Sequence, residues 1–233
     1  MDYTPIHPGD QVIDVVERNY NLLPLLSRFS LPLGFGNKTV EALCRENGIN
    51  PALFVLIVNF MITGHLDESS ARQNVRPTEV VDFLHNSHEY FLQYKFPHIR
   101  SILLQALDRD NDDINPAIVT FFDALIKQVE AHFTYEESVV FPYIRSLETG
   151  SKSDYSIDVF RRQHDDEINA TLRELKNVIL RYYVTTLPNR MYDVLVDIYN
   201  VEDDLRSHTI IENRLLVPLV KAGENRHREG RTK

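Results

Sequence analysis

With 233 residues the chain is long enough for one large domain or for a full domain with a small companion. Its net charge of -9 disfavours nucleic acid as the main partner, because phosphate binding calls for clustered Lys and Arg. Eight glycines, 43% apolar residues and no Trp argue against a turn-rich sheet protein and for long helices, and the one cysteine, Cys44, cannot form an intrachain disulfide and suits a reducing compartment.

The first residues, MDYTPIHPGD, have neither the basic lead-in nor the apolar core of a signal peptide. The most apolar run, residues 52–62, is too short to span a bilayer and is interrupted by Asn59. A cytoplasmic protein without a membrane partner is therefore expected. Residues 1–72 read as a small helical N-terminal domain, with short helices over 12–20 and 38–46 on either side of the loop LPLGFGNKT. Gly48 ends the second helix, and Asn50 caps a third with Pro51 at its first position. That third helix, ALFVLIVNFMI, is too apolar to be the recognition helix of a DNA-binding motif. The polar stretch 67–77 reads as a linker.

Residues 73–233 carry four long amphipathic segments joined by polar loops, which predicts an all-α protein built on an up-down-up-down four-helix bundle. The first opens at Pro77-Thr78 and runs to about Leu107, with Pro97 expected to kink it or weaken one turn. The second opens at Asn115-Pro116, with a stripe through Phe122, Val129, His132, Glu136, Val139 and Tyr143. The third carries Ile157, His164, Ile168, Leu175, Val178 and Tyr182, and the fourth Val194, Val201, His208, Glu212, Leu215 and Leu219.

The second and fourth segments share a motif. HFTYEESVVFP at His132 and HTIIENRLLVP at His208 both read His-x3-Glu followed by an apolar run closed by Pro. Residues four apart share a helix face, so each copy aims an imidazole and a carboxylate at one point. The first segment adds His85, with His88 flanking the same stripe, and the third adds His164. An ionised carboxylate in an apolar seam costs several kcal/mol unless it is paired or binds a cation. Two divalent ions held by His85, His132, Glu136, His164, His208 and Glu212, with both Glu bridging and an oxo or hydroxo bridge between the ions, remove that penalty.

Mixed imidazole and carboxylate donors suit Fe, Mn or Zn. No Glu-x-x-His pair of the ferritin-like kind is present, since His164-x-x-Glu167 runs the other way. The choice moves to a His-rich di-iron site with an open position for a small diatomic ligand such as O2 or NO.

HNSH at His85, HFTYE at His132, HDDE at His164 and HTIIE at His208 match in order and spacing the hemerythrin-like domain of the iron-sulfur cluster repair di-iron proteins, the repair of iron centres family, over residues 78–220. The resemblance implies a stress-response role in repairing or protecting iron-sulfur centres damaged by nitric oxide or oxidants, with damaged iron-sulfur proteins as partners and room for a homodimer. The N-terminal unit is similar to the family's short leading domain, but Leu33 and Gly34 stand where the family usually has adjacent cysteines, and Cys44 lies one helix further on. That departure keeps open a second reading, an O2 or NO binding or sensing module without turnover.

Other candidates have plainer readings. His98 reads as a surface or outer-shell residue, and His7, His65 and His227 as solvated. Glu137, Asp165, Asp166 and Glu167 adjoin candidate ligands but point off the seam, as outer-shell or solvated carboxylates do. Tyr143 reads as core, with its hydroxyl reaching the metal cavity as the alternative.

Overall fold

The computed structural model describes residues 4–108, 113–150, 155–161, 166–185 and 188–229. Among these the protein is all-α, with no strand and one isolated bridge between Gln11 and Thr39. No helix among the described residues is long and apolar enough to cross a membrane. The chain folds as two compact units, Met1–Ser87 with Tyr143–Ile157 and Ile210–Lys233, and His88–Pro142 with Asp158–Thr209.

In the first unit, α1 (Val12–Arg18), α2 (Leu23–Arg28), α3 (Val40–Glu46) and α4 (Pro51–Thr63) follow local chemistry closely. The Thr39 hydroxyl accepts from the Ala42 amide and the Asn50 side chain from the Ala52 amide, so both helix starts are capped. Gly64 stops α4 in a left-handed conformation, φ 71°, which only a residue without Cβ adopts freely. The stretch 67–77 expected as a linker instead forms α5 (Glu68–Asn74). Asp67 accepts from the Ser69 amide, and Leu66, Ala71 and Val75 are buried, so three apolar anchors outweigh a polar composition.

The four long segments become α6 (Pro77–Glu89) with α7 (Phe96–Ala106), α8 (Asn115–Tyr135) with α9 (Phe141–Glu148), α10 (Ile157–Phe160) with α11 (Asp166–Tyr182), and α12 (Pro188–Ile211) with α13 (Val217–Glu229). In the second unit, side chains of α7, α8, α11 and α12 share one core that includes Phe96, Phe122, Val129, Leu172, Leu175 and Ile198. Arg100 on α7 reaches Asp123 on α8 at 2.8 Å, and Lys176 on α11 reaches Glu202 on α12 at 2.5 Å.

Among the described residues, three of the four segments pass through a π-turn: Tyr90–Lys95, Glu136–Val140 and Glu212–Leu216. Each ends two residues before a proline, at Pro97, Pro142 and Pro218. Proline donates no N–H and its ring clashes with the carbonyl four residues back, so the helix accommodates it by widening the preceding turn. Pro97 weakens one turn as expected, in this form.

A π-turn inserts one extra residue, which shifts every later position on the buried stripe. Val139 is therefore exposed (37%) and Val140 buried (0%), a correction to the regular 3.6-residue reading. The same step of five joins Phe91 to Phe96 in the first segment, leaving Leu92 half-buried. In α11 the buried row is Ile168, Leu172, Leu175 and Ile179, and Tyr182, expected on that row, faces solvent at 65% exposure.

Candidate metal centre

His88, Glu136 and His208 each offer a ligand atom, and these atoms lie within 4.8 Å of one another. Glu212 stands one turn beyond His208 on the same continuous helix and is buried like these three. All four are essentially removed from water: Glu136 is 0% exposed, Glu212 2%, His88 3% and His208 4%.

Glu136 sits where α8 opens into its π-turn, one turn after His132. Its Oε1 lies 3.0 Å from His132 Nε2, and its Oε2 lies 2.9 Å from His88 Nε2 and 3.9 Å from His208 Nε2. The two imidazole nitrogens His88 Nε2 and His208 Nε2 are 3.3 Å apart. At these separations the Glu136 oxygens lie within reach of three imidazole nitrogens, but neither makes a hydrogen bond of good geometry within the protein. Donor atoms packed about 3 Å apart but aimed past one another form the edges of a coordination polyhedron whose bonds are roughly 2.0–2.2 Å long. The donor set thus fits a metal ion on chemistry and on geometry.

Electrostatics point the same way. Burial pushes the Glu136 carboxyl up, but the imidazoles of His132, His208 and His88 more than offset it and hold the group well below the usual carboxylate range. An ionised carboxylate buried completely among imidazole nitrogens is an arrangement that a cation stabilises.

The walls of the site are aromatic. The His88 ring stacks on Phe133 at 3.9 Å and 16°, with Phe141 at 5.4 Å and 8°. Phe91 meets the His208 ring edge-on at 6.2 Å, and Phe133 lies 5.3 Å from it. Outside this wall, His88 Nδ1 meets Glu137 Oε1 at 2.7 Å.

The sequence-based candidates distribute as follows. His132, Glu136 and His208 are brought together, and Glu212 follows on the His208 helix. The first segment contributes His88 to the group, and His85, one turn earlier, is half-buried and outside it. A signal for this choice was present: Leu84, His88 and Phe91 form one apolar row, which a step of five continues to Phe96. His164 and Asp165 lie outside the described residues, as do the side chains of Asp166 and His227. Glu167 is exposed, as are His7 and His65. His98 is 47% exposed in its side chain, 3.6 Å from Asp197 and stacked on Tyr94. The Tyr143 hydroxyl donates to Glu224 Oε1, a structural role. Glu137, expected to point off the seam, reaches His88 because the π-turn presents two successive carboxylates to one imidazole.

Cys44 is 0% exposed, and burial pushes its thiol up to about 12. At pH 8 the thiolate, the reactive form, is therefore a minute fraction. An aromatic disulfide reagent is expected to leave the folded protein unmodified and to titrate one thiol after denaturation. Rapid reaction of the native protein would contradict the burial.

A model of the hemerythrin HHE cation binding domain matches residues 79–220, which span all four long segments and every described member of the group. Iron-sulfur cluster repair protein YtfE of Salmonella typhimurium strain LT2 is 25% identical over 129 residues, covering 54% of this chain and 57% of the relative. Its counterpart in Citrobacter koseri is also 25% identical over 129 residues, and that in Salmonella paratyphi B 24%. The match thus spans somewhat more than half the length of these curated relatives. No solved structure matches. With the repeated motif, the convergent buried donors and the family match in agreement, the chain belongs to the hemerythrin HHE cation-binding domain family.

Proposed function

We propose that this chain is a cytoplasmic, non-haem di-iron protein of the nitrosative and oxidative stress response that repairs or protects iron-sulfur centres. The observation that carries the two-ion reading is the division of Glu136. One carboxylate oxygen faces His132 and the other faces His88 and His208, which supports reading Glu136 as a bridging carboxylate. Glu212 would be the second bridging carboxylate in this reading, with His132 and His164 among the further ligands. His88 takes the place that the motif alone left between it and His85. In this reading residues 1–72 are a small helical N-terminal domain preceding the bundle. Bound iron would supply a redox-active centre with a position open to O2 or NO. The apolar ring wall of Phe91, Phe133 and Phe141 keeps bulk water from that position. Relatives named for iron-sulfur cluster repair support the biological role.

A second reading, O2 or NO sensing without turnover, gains support from Cys44. The one thiol in the chain is buried and suppressed, which leaves no cysteine for a thiol-dependent transfer step.

The test is metal analysis of protein purified without oxygen, followed by reactivation of a damaged iron-sulfur enzyme in vitro. Iron near two per chain, near-ultraviolet oxo-to-iron absorption and recovered enzyme activity are expected. Two irons with reversible diatomic binding and no reactivation would select sensing. Absence of bound iron after reconstitution would overturn both.

A further inference from the structure

We infer that the outer side of α11 and α12 is the surface through which two copies of this chain pair, with Arg173 of each copy set against Asp203 of the other. The surface lies wholly within the second unit and does not rest on the metal reading. Leu180, Val184, Tyr192, Val196 and Tyr199 are between 43% and 77% exposed. A helix that only closes a core keeps polar residues on its outer side, so five large apolar side chains in water on two neighbouring helices mark a surface that something covers. Tyrosine, which supplies two of the five, is enriched where protein surfaces meet.

The register of the two helices says what fits there. Tyr183, just past the end of α11, donates through its hydroxyl to the Ala106 carbonyl, and Arg190, at the start of α12, donates to the Gln105 carbonyl. Both therefore meet the same end of α7, and the two helices run antiparallel. Further along, Lys176 Nζ lies 4.5 Å from the centroid of the Tyr199 ring and 2.5 Å from Glu202, which sets Lys176 level with Tyr199. Steps of three or four residues, taken in opposite directions along the two helices, stay level and stay on one side. Leu180 thus falls level with Val196, Val184 with Tyr192 and, toward the other end, Arg173 with Asp203.

This layering is complementary to itself. A twofold axis laid along the helices places α11 of one copy on α12 of the other, so Leu180 meets Val196, Val184 meets Tyr192 and Arg173 meets Asp203, each contact made twice. Both charged residues are exposed, and Arg173 makes no ion pair among the described residues. Asp203 accepts from Arg206 at 2.8 Å and keeps lone pairs for a second cation. With on the order of 100 Å² exposed on each large side chain, five give roughly 500 Å² per copy and roughly 1,000 Å² for the pair, the lower bound of a specific interface.

The experiment is sedimentation velocity of the full-length protein over a concentration series, with far-ultraviolet circular dichroism as a check on folding. Wild type is expected to pass from monomer to dimer between about 1 and 100 μM, the weak end for an interface of this size. Val196→Asp, Arg173→Asp and Asp203→Arg should each weaken pairing more than about 10-fold, because each sets a charge against an apolar side chain or a like charge. Glu174→Arg, an exposed reversal on the side of α11 turned away from this face, should leave pairing unchanged. An equal mixture of Arg173→Asp and Asp203→Arg should pair about as tightly as wild type, since every 173–203 contact between those two chains again joins an acid to a base. A wild type monomeric up to about 100 μM would overturn the proposal and leave the face to a different partner. A dimer indifferent to Val196→Asp and to both reversals would overturn it too, as would reversal variants that fail to pair when mixed.

Discussion

Glu136→Ala is expected to lower iron affinity by more than about 100-fold, beyond what losing an outer partner of a ligand costs, while the far-ultraviolet helical signal is retained. The side chain is fully buried, and both of its oxygens lie among imidazole nitrogens. In the proposed arrangement it is shared by both ions, so its loss weakens two sites at once. The helix itself does not depend on it, since α8 is fixed by Ile118, Phe122, Leu125, Val129 and Phe133 in the core. Alanine is also a good helix former, so the backbone of the π-turn has no reason to unfold. Iron content measured on anaerobically reconstituted protein gives the answer, and wild-type retention would defeat the bridging assignment. Glu212→Ala is expected to act in the same direction.

Phe133→Ala should be strongly damaging to stability, at about 3–5 kcal/mol. The ring is 2% exposed and touches His88 at 3.9 Å, His208 at 5.3 Å and Phe91 at 5.9 Å between centroids. Truncation leaves a cavity against two metal-ligand candidates, and a close-packed helical core collapses into such a space only in part. Denaturant titration of the metal-free protein isolates this effect from ligand binding. A loss below about 1 kcal/mol would mean that the wall around His88 is not packed as described. Phe133→Leu, which fills more of the space, should recover a large part of the loss.

How much of this was legible beforehand differs from element to element. The caps at Thr39 and Asn50 and the stop at Gly64 followed from residues within three positions of each helix end, because their hydrogen bonds and backbone conformation are local. The pairing of His132 with Glu136 was equally legible, since i and i+4 on a helix meet whatever surrounds them. So were the family and the all-α bundle, which rest on a motif order spread over most of the chain.

The exact row of buried residues was not legible from the turn ahead of each proline onward. A proline announces trouble in a helix, but kink, break and widened turn all satisfy its missing N–H, and packing selects among them. Once the widened turn was selected at Glu136–Val140, Val140 replaced Val139 in the core and Glu137 swung to His88. The same holds for α5, where three apolar side chains among polar neighbours acquire weight only when there is something to bury them against.

By itself, then, the sequence determined the long helices, their order and the two His-x3-Glu pairs, because each depends on contacts within one or two turns of chain. The apolar row through Leu84, His88 and Phe91 allowed His88, but tertiary structure decided that it enters the donor cluster ahead of His85 and that Glu137 stands behind it. Those outcomes turn on which face of one helix meets another, and a rotation of a single residue's width, which no local rule sets, exchanges one histidine for the other.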